Sequence, residues 1–228
     1  METVMRFDLA KTSVRELNHF LHTEARKGTR VEILNPEGRH NLAVGLDAEV
    51  DVLIRGHAGY FIGGMNKKGN ITVEGNVGWS VGENIMSGSI RVKGNASECA
   101  GASGHGGLVV VEGDASSRCG ISMKGVDIVV GGSVGHASAF MAQAGRLVIC
   151  GNAGAGLGDS LYEAVIYVRG KIKGLGADAR EEEMQSGDLA KVRELLTKAG
   201  MNYDAREFKR IASARTLYHW NSEAHQEY

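Results

Sequence analysis

Seven glycines stand at one fixed interval: Gly56, Gly75, Gly94, Gly113, Gly132, Gly151 and Gly170 each follow the last by 19 residues. A catalytic motif has no need of such a register, but a stack of coils does. A segment that cannot bury its apolar side alone gains a core by stacking on copies of itself, so the interval predicts a solenoid. Two residues before the glycines stand Ile54, Val73, Val92, Val111, Val130, Ile149 and Val168. Four before them stand Val52, Ile71, Ile90, Val109, Ile128, Leu147 and Ile166. This alternate placement of mostly β-branched residues is the pattern of a short strand with one buried face. The residue just before the glycine points the other way, and Arg55, Glu74, Lys93 and Glu112 would stack there as a ladder of alternating charge.

The remainder of each interval must turn. One residue past the glycine stand His57, Asn76, Asn95, Asp114, Ser133, Asn152 and Lys171, mostly short polar side chains that bond to nearby backbone and tolerate left-handed conformations. Two past it, Ala58, Val77, Ala96, Ala115, Val134, Ala153 and Ile172 form an inward column. Small residues recur three past it (Gly59, Gly78, Ser97, Ser116, Gly135, Gly154) and seven past it (Gly63, Gly82, Gly101, Gly120, Ala139, Gly158). The expected fold is an all-β solenoid: a right-handed, single-stranded parallel β-helix with 19-residue coils, an N-terminal capping helix and short C-terminal helices. At about 4.8 Å per coil, the seven coils make a rod of roughly 35 Å.

Composition sets the outer bounds. The 228 residues include 33 glycines held in register and a single proline, Pro36, and the 6% of aromatic residues suits a thin core of small side chains. With a net charge of −1 and no basic run, nucleic acid is not an expected partner. The opening residues lack a signal peptide's apolar core and no stretch reaches membrane-spanning length, so no membrane partner is expected. The odd count of three cysteines, Cys99, Cys119 and Cys150, fits reduced thiols in the cytoplasm.

Three regions follow: an N-terminal helix and cap over 1–30, the β-helix over 31–177 and a C-terminal helical tail over 178–228. Ser13 with Glu16 is a capping box, Val14, Leu17, Phe20 and Leu21 form an apolar stripe, and Gly28 is the stop; Val31 to Leu34 is the first strand. In the tail, Asp188 begins a helix carrying Leu189, Val192, Leu195, Leu196 and Ala199, closed by Gly200. Asp204 with Glu207 begins another, carrying Phe208 and Ile211, and the last residues hold Tyr218 and Trp220. The tail either folds back on the rod or docks on another subunit.

Candidate chemistry is sparse. Gly154, Gly156 and Gly158 resemble a phosphate loop, but they lie on the repeat and a further coil, not a helix, follows. His57, His105 and His136 with Cys99 and Cys119 lack local metal-ligand spacing, and turn histidines and buried thiols are the expected roles. Ser80, Ser87, Ser103 and Ser138 fall in turns without a nucleophile motif. Glu83, Glu98 and Asp159 could gather in a groove only if inserted loops built a cleft, and the coils carry no insertions. Tyr60, Trp79 and Met86 are candidates for a protein interface, with isolated exposed residues as the alternative.

The coil Cys150-Gly151-Asn152-Ala153-Gly154-Ala155-Gly156-Leu157-Gly158-Asp159, followed by Ala164 to Gly170, resembles the GXGXG repeat family, over roughly residues 8–178. That family includes the C-terminal β-helix domain of glutamate synthase large subunits and the GXGXG-bearing subunit of formylmethanofuran dehydrogenase. A free-standing chain of this length is similar to the small subunit of split glutamate-synthase-like enzymes, notably N-methylglutamate synthase. The resemblance implies a non-catalytic structural subunit, with no catalytic, cofactor-binding or metal residue in this chain. It implies two partners, a class II amidotransferase-like subunit and an FMN and iron–sulfur subunit, beside possible homo-oligomer contacts. The complex would convert methylamine and L-glutamate to N-methyl-L-glutamate and ammonia. Two alternatives stand: the formylmethanofuran dehydrogenase subunit, and an independent β-helix carbohydrate-active enzyme.

Overall fold

A computed structural model describes residues 4–215. Among these, eleven strands form one sheet: β1 Val4–Asp8, β2 Arg30–Leu34, β3 Asp51–Ile54, β4 Asn70–Val73, β5 Ser89–Val92, β6 Leu108–Val111, β7 Lys124–Val130, β8 Ala144–Ile149, β9 Val165–Val168, β10 Ala179–Glu182 and β11 Lys209–Ser213. They lie in the order β1 to β9, then β11, then β10. Neighbours from β1 to β9 are parallel, and from β3 onward they are in register at the 19-residue interval, so Ile71 pairs Ile90 and Ile90 pairs Val109. The chain is a parallel β-solenoid.

The two strand columns read from the sequence are the core, and every member from Val52 to Val168 is at most 2% exposed. The alanine and valine column from Ala58 to Ile172 makes a second, one-residue-wide parallel bridge between coils. Two further inward columns close the section. One holds Ile62, Val81, Ala100, Cys119, Ser138 and Leu157, the other Ile85, Met123, Ala142 and Leu161 with Asn66, all buried. Asn66 is accommodated because its amide bonds Gly69 N–H at 2.9 Å, Gly69 C=O at 2.8 Å and Ser87 C=O at 3.1 Å.

The repeated glycine and the polar residue after it work as one device. The side chain of Asn76 reaches over Gly94 and accepts from Asn95 N–H at 2.8 Å, and Asn95 does the same over Gly113 toward Asp114 N–H at 2.8 Å. The series runs from His57 through Asp114 and Ser133 to Lys171 N–H without a break. A Cβ on Gly113 would lie 2.1 Å from Asn95 Oδ1, so close approach is what demands glycine there. Left-handed backbone occupies the turn column seven past the glycine, as at Gly82 (φ 66°), and also the positions five and nine past it, as at Ser80 (φ 62°) and Asn84 (φ 55°), but not the polar position one past it.

Both ends differ in part from expectation. Helix α1, Val14–Thr23, is capped by Ser13 and Glu16 as predicted, but it ends at Glu24, ahead of Gly28. It lies over the corner of the first coil, where Asn18 bonds both Asn41 C=O (2.7 Å) and Ala43 N–H (3.0 Å). The first strand is β1, which precedes this helix and pairs β2. At the other end α2, Ser186–Ala199, closes on left-handed Gly200 with Asp188 in its capping box. The helix expected from Asp204 is one 3-10 turn, Ala205–Glu207, and the residues after it become β11. The free side of β9 accepts them as an antiparallel strand, and that pairing overrides a short helical pattern. The final residues, with Tyr218 and Trp220, lie outside the described residues.

Candidate functional site

The outer face of the sheet decides where the C-terminal segment goes. Three residues before each glycine the early coils read Leu53, Thr72 and Arg91, and the later ones Val110, Val129, Val148 and Tyr167. The second set is buried against Val192, Leu195, Leu196, Ala199 and Phe208, a second core outside the rod. The described part of the tail therefore folds back on the rod. That column was present in the sequence and marks the covered coils by its change from mixed to wholly apolar or aromatic side chains.

Polar groups fix both ends of α2. Arg91 donates to Ala199 C=O at 2.9 Å and Lys198 C=O at 3.0 Å, placing its charge on carbonyls left open at a helix C-terminus. Near the N-terminus the Tyr167 hydroxyl donates to Asp188 Oδ1 at 2.6 Å, Arg210 Nε reaches Asp188 at 3.3 Å, and Arg210 also pairs Glu182. Burial disfavours a charged Asp188, but the bonds from Tyr167 and Gln185 N–H with the Arg210 charge more than offset it and hold the carboxyl below its ordinary value. Burial pushes the Tyr167 hydroxyl up. Under the middle of the helix Asp127 stands at the β7 irregularity with Oδ1 buried and unbonded. Burial raises its carboxyl against the pull of Arg146 (3.6 Å) and Lys191 (3.8 Å).

Burial raises the Cys99 thiol, and Glu98 and Glu83 lie near enough to help it do so, but the residues weighed for chemistry do not assemble into one site. His57 spends Nδ1 on Asn76 N–H at 2.9 Å, and among the described residues no group of three His, Cys, Asp or Glu side chains could hold a metal ion. Glu83 and Asp159 share one column four coils apart, ~19 Å at the usual strand spacing. Ser138 is fully buried and bonds Gly135 C=O at 3.1 Å. After Gly154, Gly156 and Gly158 the chain enters β9 and not a helix. Cys119 and Cys150 are buried, and burial drives both thiols up to about 12.

What the rod does present is surface. Tyr60 and Trp79 are 48% and 52% exposed, and Met86 is 45% exposed. The first two are not isolated: His40, Tyr60 and Trp79 stack along one corner with centroids 4.2 and 5.4 Å apart. The charge ladder forms as expected from Arg55 (2.9 Å to Glu74) to Lys93 (3.3 Å to Glu74), but Glu112 turns to Arg91 at 3.0 Å. No helix among the described residues is long and apolar enough to cross a membrane.

Uninterrupted coils, a helix folded along the outer face and exposed corners define a β-solenoid protein. No protein-family model matches the chain. It is 52% identical over 218 residues to Protein GlxC of Rhizobium meliloti (strain 1021), an alignment covering 94% of this chain and 95% of that one. The chain belongs to the GlxC family.

Proposed function

We propose that this chain is a non-catalytic β-solenoid subunit that organises a cytoplasmic glutamate-synthase-like complex, N-methylglutamate synthase first. The observation that carries the reading is the unbroken polar ladder from His57 to Lys171, which leaves no insertion from which a cleft could be built. A rigid rod with stacked aromatics on one corner suits the joining of larger chains. Its partners are an amidotransferase-like chain and a chain holding FMN and iron–sulfur clusters. The reaction, methylamine and L-glutamate to N-methyl-L-glutamate and ammonia, belongs to the assembled complex.

The test is native affinity purification with mass spectrometry, followed by assay of the recovered material for methylamine-dependent N-methylglutamate formation. Recovery of both partner classes with that activity supports the reading. Both partners without methylamine activity would leave the scaffold role and reassign the amine. A chain recovered alone, or one active by itself, would overturn it.

A further inference from the structure

Among the described residues, the outermost strands of the sheet, β1 and β10, each have a neighbour on one side only. They are built differently. β10 reads Ala-Arg-Glu-Glu, and a charged outer strand discourages pairing with another chain. β1 reads Val-Met-Arg-Phe-Asp, with Val4 43% and Met5 39% exposed. Met5 and Phe7 are the register partners of Val31 and Ile33, both core residues, so they are the terminal layer of the core. Phe20 of α1 covers Phe7, their rings 5.0 Å apart, and Met5 stays open.

The backbone of β1 is equally unfinished. Leu9 N–H donates to Leu34 C=O at 3.0 Å, so Leu9 faces β2. In a parallel ladder the N–H and C=O of one residue point to the same side, and successive residues alternate. Phe7 and Met5 therefore also face β2, while the backbone of Arg6 and Val4 faces out of the sheet. Arg6 gives Nε to Glu32 at 2.8 Å, and its side chain is still 70% exposed. Arg30 and Arg55 line the same shallow depression, and its acids, Glu32 and Asp51, are already held by arginines.

We propose that β1 is a docking strand: an extended segment of a partner polypeptide adds to it as a further strand. That segment pairs with the outward N–H and C=O of Arg6, lays apolar side chains over Met5 and Phe7, and sets an acidic side chain between them beside Arg6. A second copy of this chain matches less well. Antiparallel pairing of Met5 with the copy's Phe7 places Arg6 opposite Arg6 of the copy, a like-charge contact. The inference rests on the scaffold reading in requiring that another polypeptide be present, and it names where that polypeptide binds.

Two substitutions separate the strand from the ion pair. Arg6→Ala and Arg6→Pro both lose the bond to Glu32, but only proline removes the outward N–H, at a place where an outer strand tolerates it. In complexes isolated from the native host, Arg6→Ala should recover at most a few-fold less of its partner chains, the loss of one exposed ion pair, and Arg6→Pro about tenfold less than Arg6→Ala, some 1.4 kcal/mol. Matched melting curves of the two isolated variants check that both are folded. Independently of any variant, hydrogen exchange at the Arg6 amide should be slower in the wild-type complex than in the isolated chain. Equal recovery by both variants, or an Arg6 amide that exchanges alike in the two states, would overturn the proposal and leave the scaffold reading in place. Wild-type chain recovered without partners would remove the scaffold reading itself. An isolated chain that light scattering shows as a dimer, made monomeric by Arg6→Pro, would assign β1 to a second copy instead.

Discussion

At the scale of single residues, the repeated glycine is explained by its neighbour one coil back. A Cβ on Gly113 would meet Asn95 Oδ1 at 2.1 Å and Gly94 O at 2.9 Å, whereas on Gly120 the nearest atoms are side-chain ends at 3.3 Å, with a left-handed φ of 70°. The Gly120 column already accepts an alanine, Ala139 at φ 55°. Gly113→Ala should therefore lower stability by about 1–3 kcal/mol and Gly120→Ala by about 1 kcal/mol, read from denaturant melts. Asn95→Ala strips Asp114 N–H of its acceptor and should cost about 1 kcal/mol. It also vacates the space that Gly113→Ala needs. The double variant should accordingly lose less than the sum of the two, and strict additivity would show that the glycine and the ladder are independent.

At the scale of elements, two carboxylates of opposite behaviour lie where α2 meets the rod. Asp188 has a depressed value, so its contribution is full above the ordinary Asp value of about 3.9 and is lost as pH falls through the lower folded value. Tyr167→Phe, which deletes its closest partner, should cost about 1.5–3 kcal/mol at neutral pH and progressively less in acid. Asp127 is raised by burial, so whatever it contributes is present below the ordinary value and is lost as pH rises through the raised one. Asp127→Asn should raise the melting temperature at neutral pH, and the gain should vanish near pH ~3, below the ordinary Asp value; a lower melting temperature at neutral pH would mean that the pairs with Arg146 and Lys191 outweigh burial. The sequence made some elements plain and hid others for physical reasons. Strands β3 to β9 were legible because the same columns recur in seven coils, and α1 and α2 because their caps are local. β1 has no glycine column beside it to mark its register. β11 is a strand only because β9 offers it a free side, and nothing within Lys209 to Ser213 encodes that. The apolar stretch from Val110 to Tyr167 did announce a cover on the outer face, but only when read down the coils. The exposed corner was legible as residues, Tyr60 and Trp79, and not as a stack, because His40 joins it from before the first repeated glycine.

At the scale of the whole molecule, the coils are interchangeable in register though not in composition. Each ladder acceptor receives the same N–H of the next coil, and each core column meets its own kind above and below. Stability in such an array is a sum of coil and interface terms. Excising residues 56–74, one 19-residue coil, should therefore leave a folded rod, with Arg55 running directly into Gly75 and β3 pairing β5. The ends would be untouched: α1 sits on the corner at Asn41 and Ala43, and α2 begins its cover at Val110, both outside the excised span. Arg55 would come to face Lys93, a like-charge contact between exposed side chains worth under about 1 kcal/mol. Excising one residue fewer from the same place is a sharper test than any substitution. It turns the strands before the junction by one position against those after it, so core columns meet outward ones and apolar side chains face water. The first deletion should melt cooperatively with a native-like far-ultraviolet spectrum, and the second should not fold. If both fold alike, the inter-coil register is not what holds this molecule together, and the scaffold argument built on it fails.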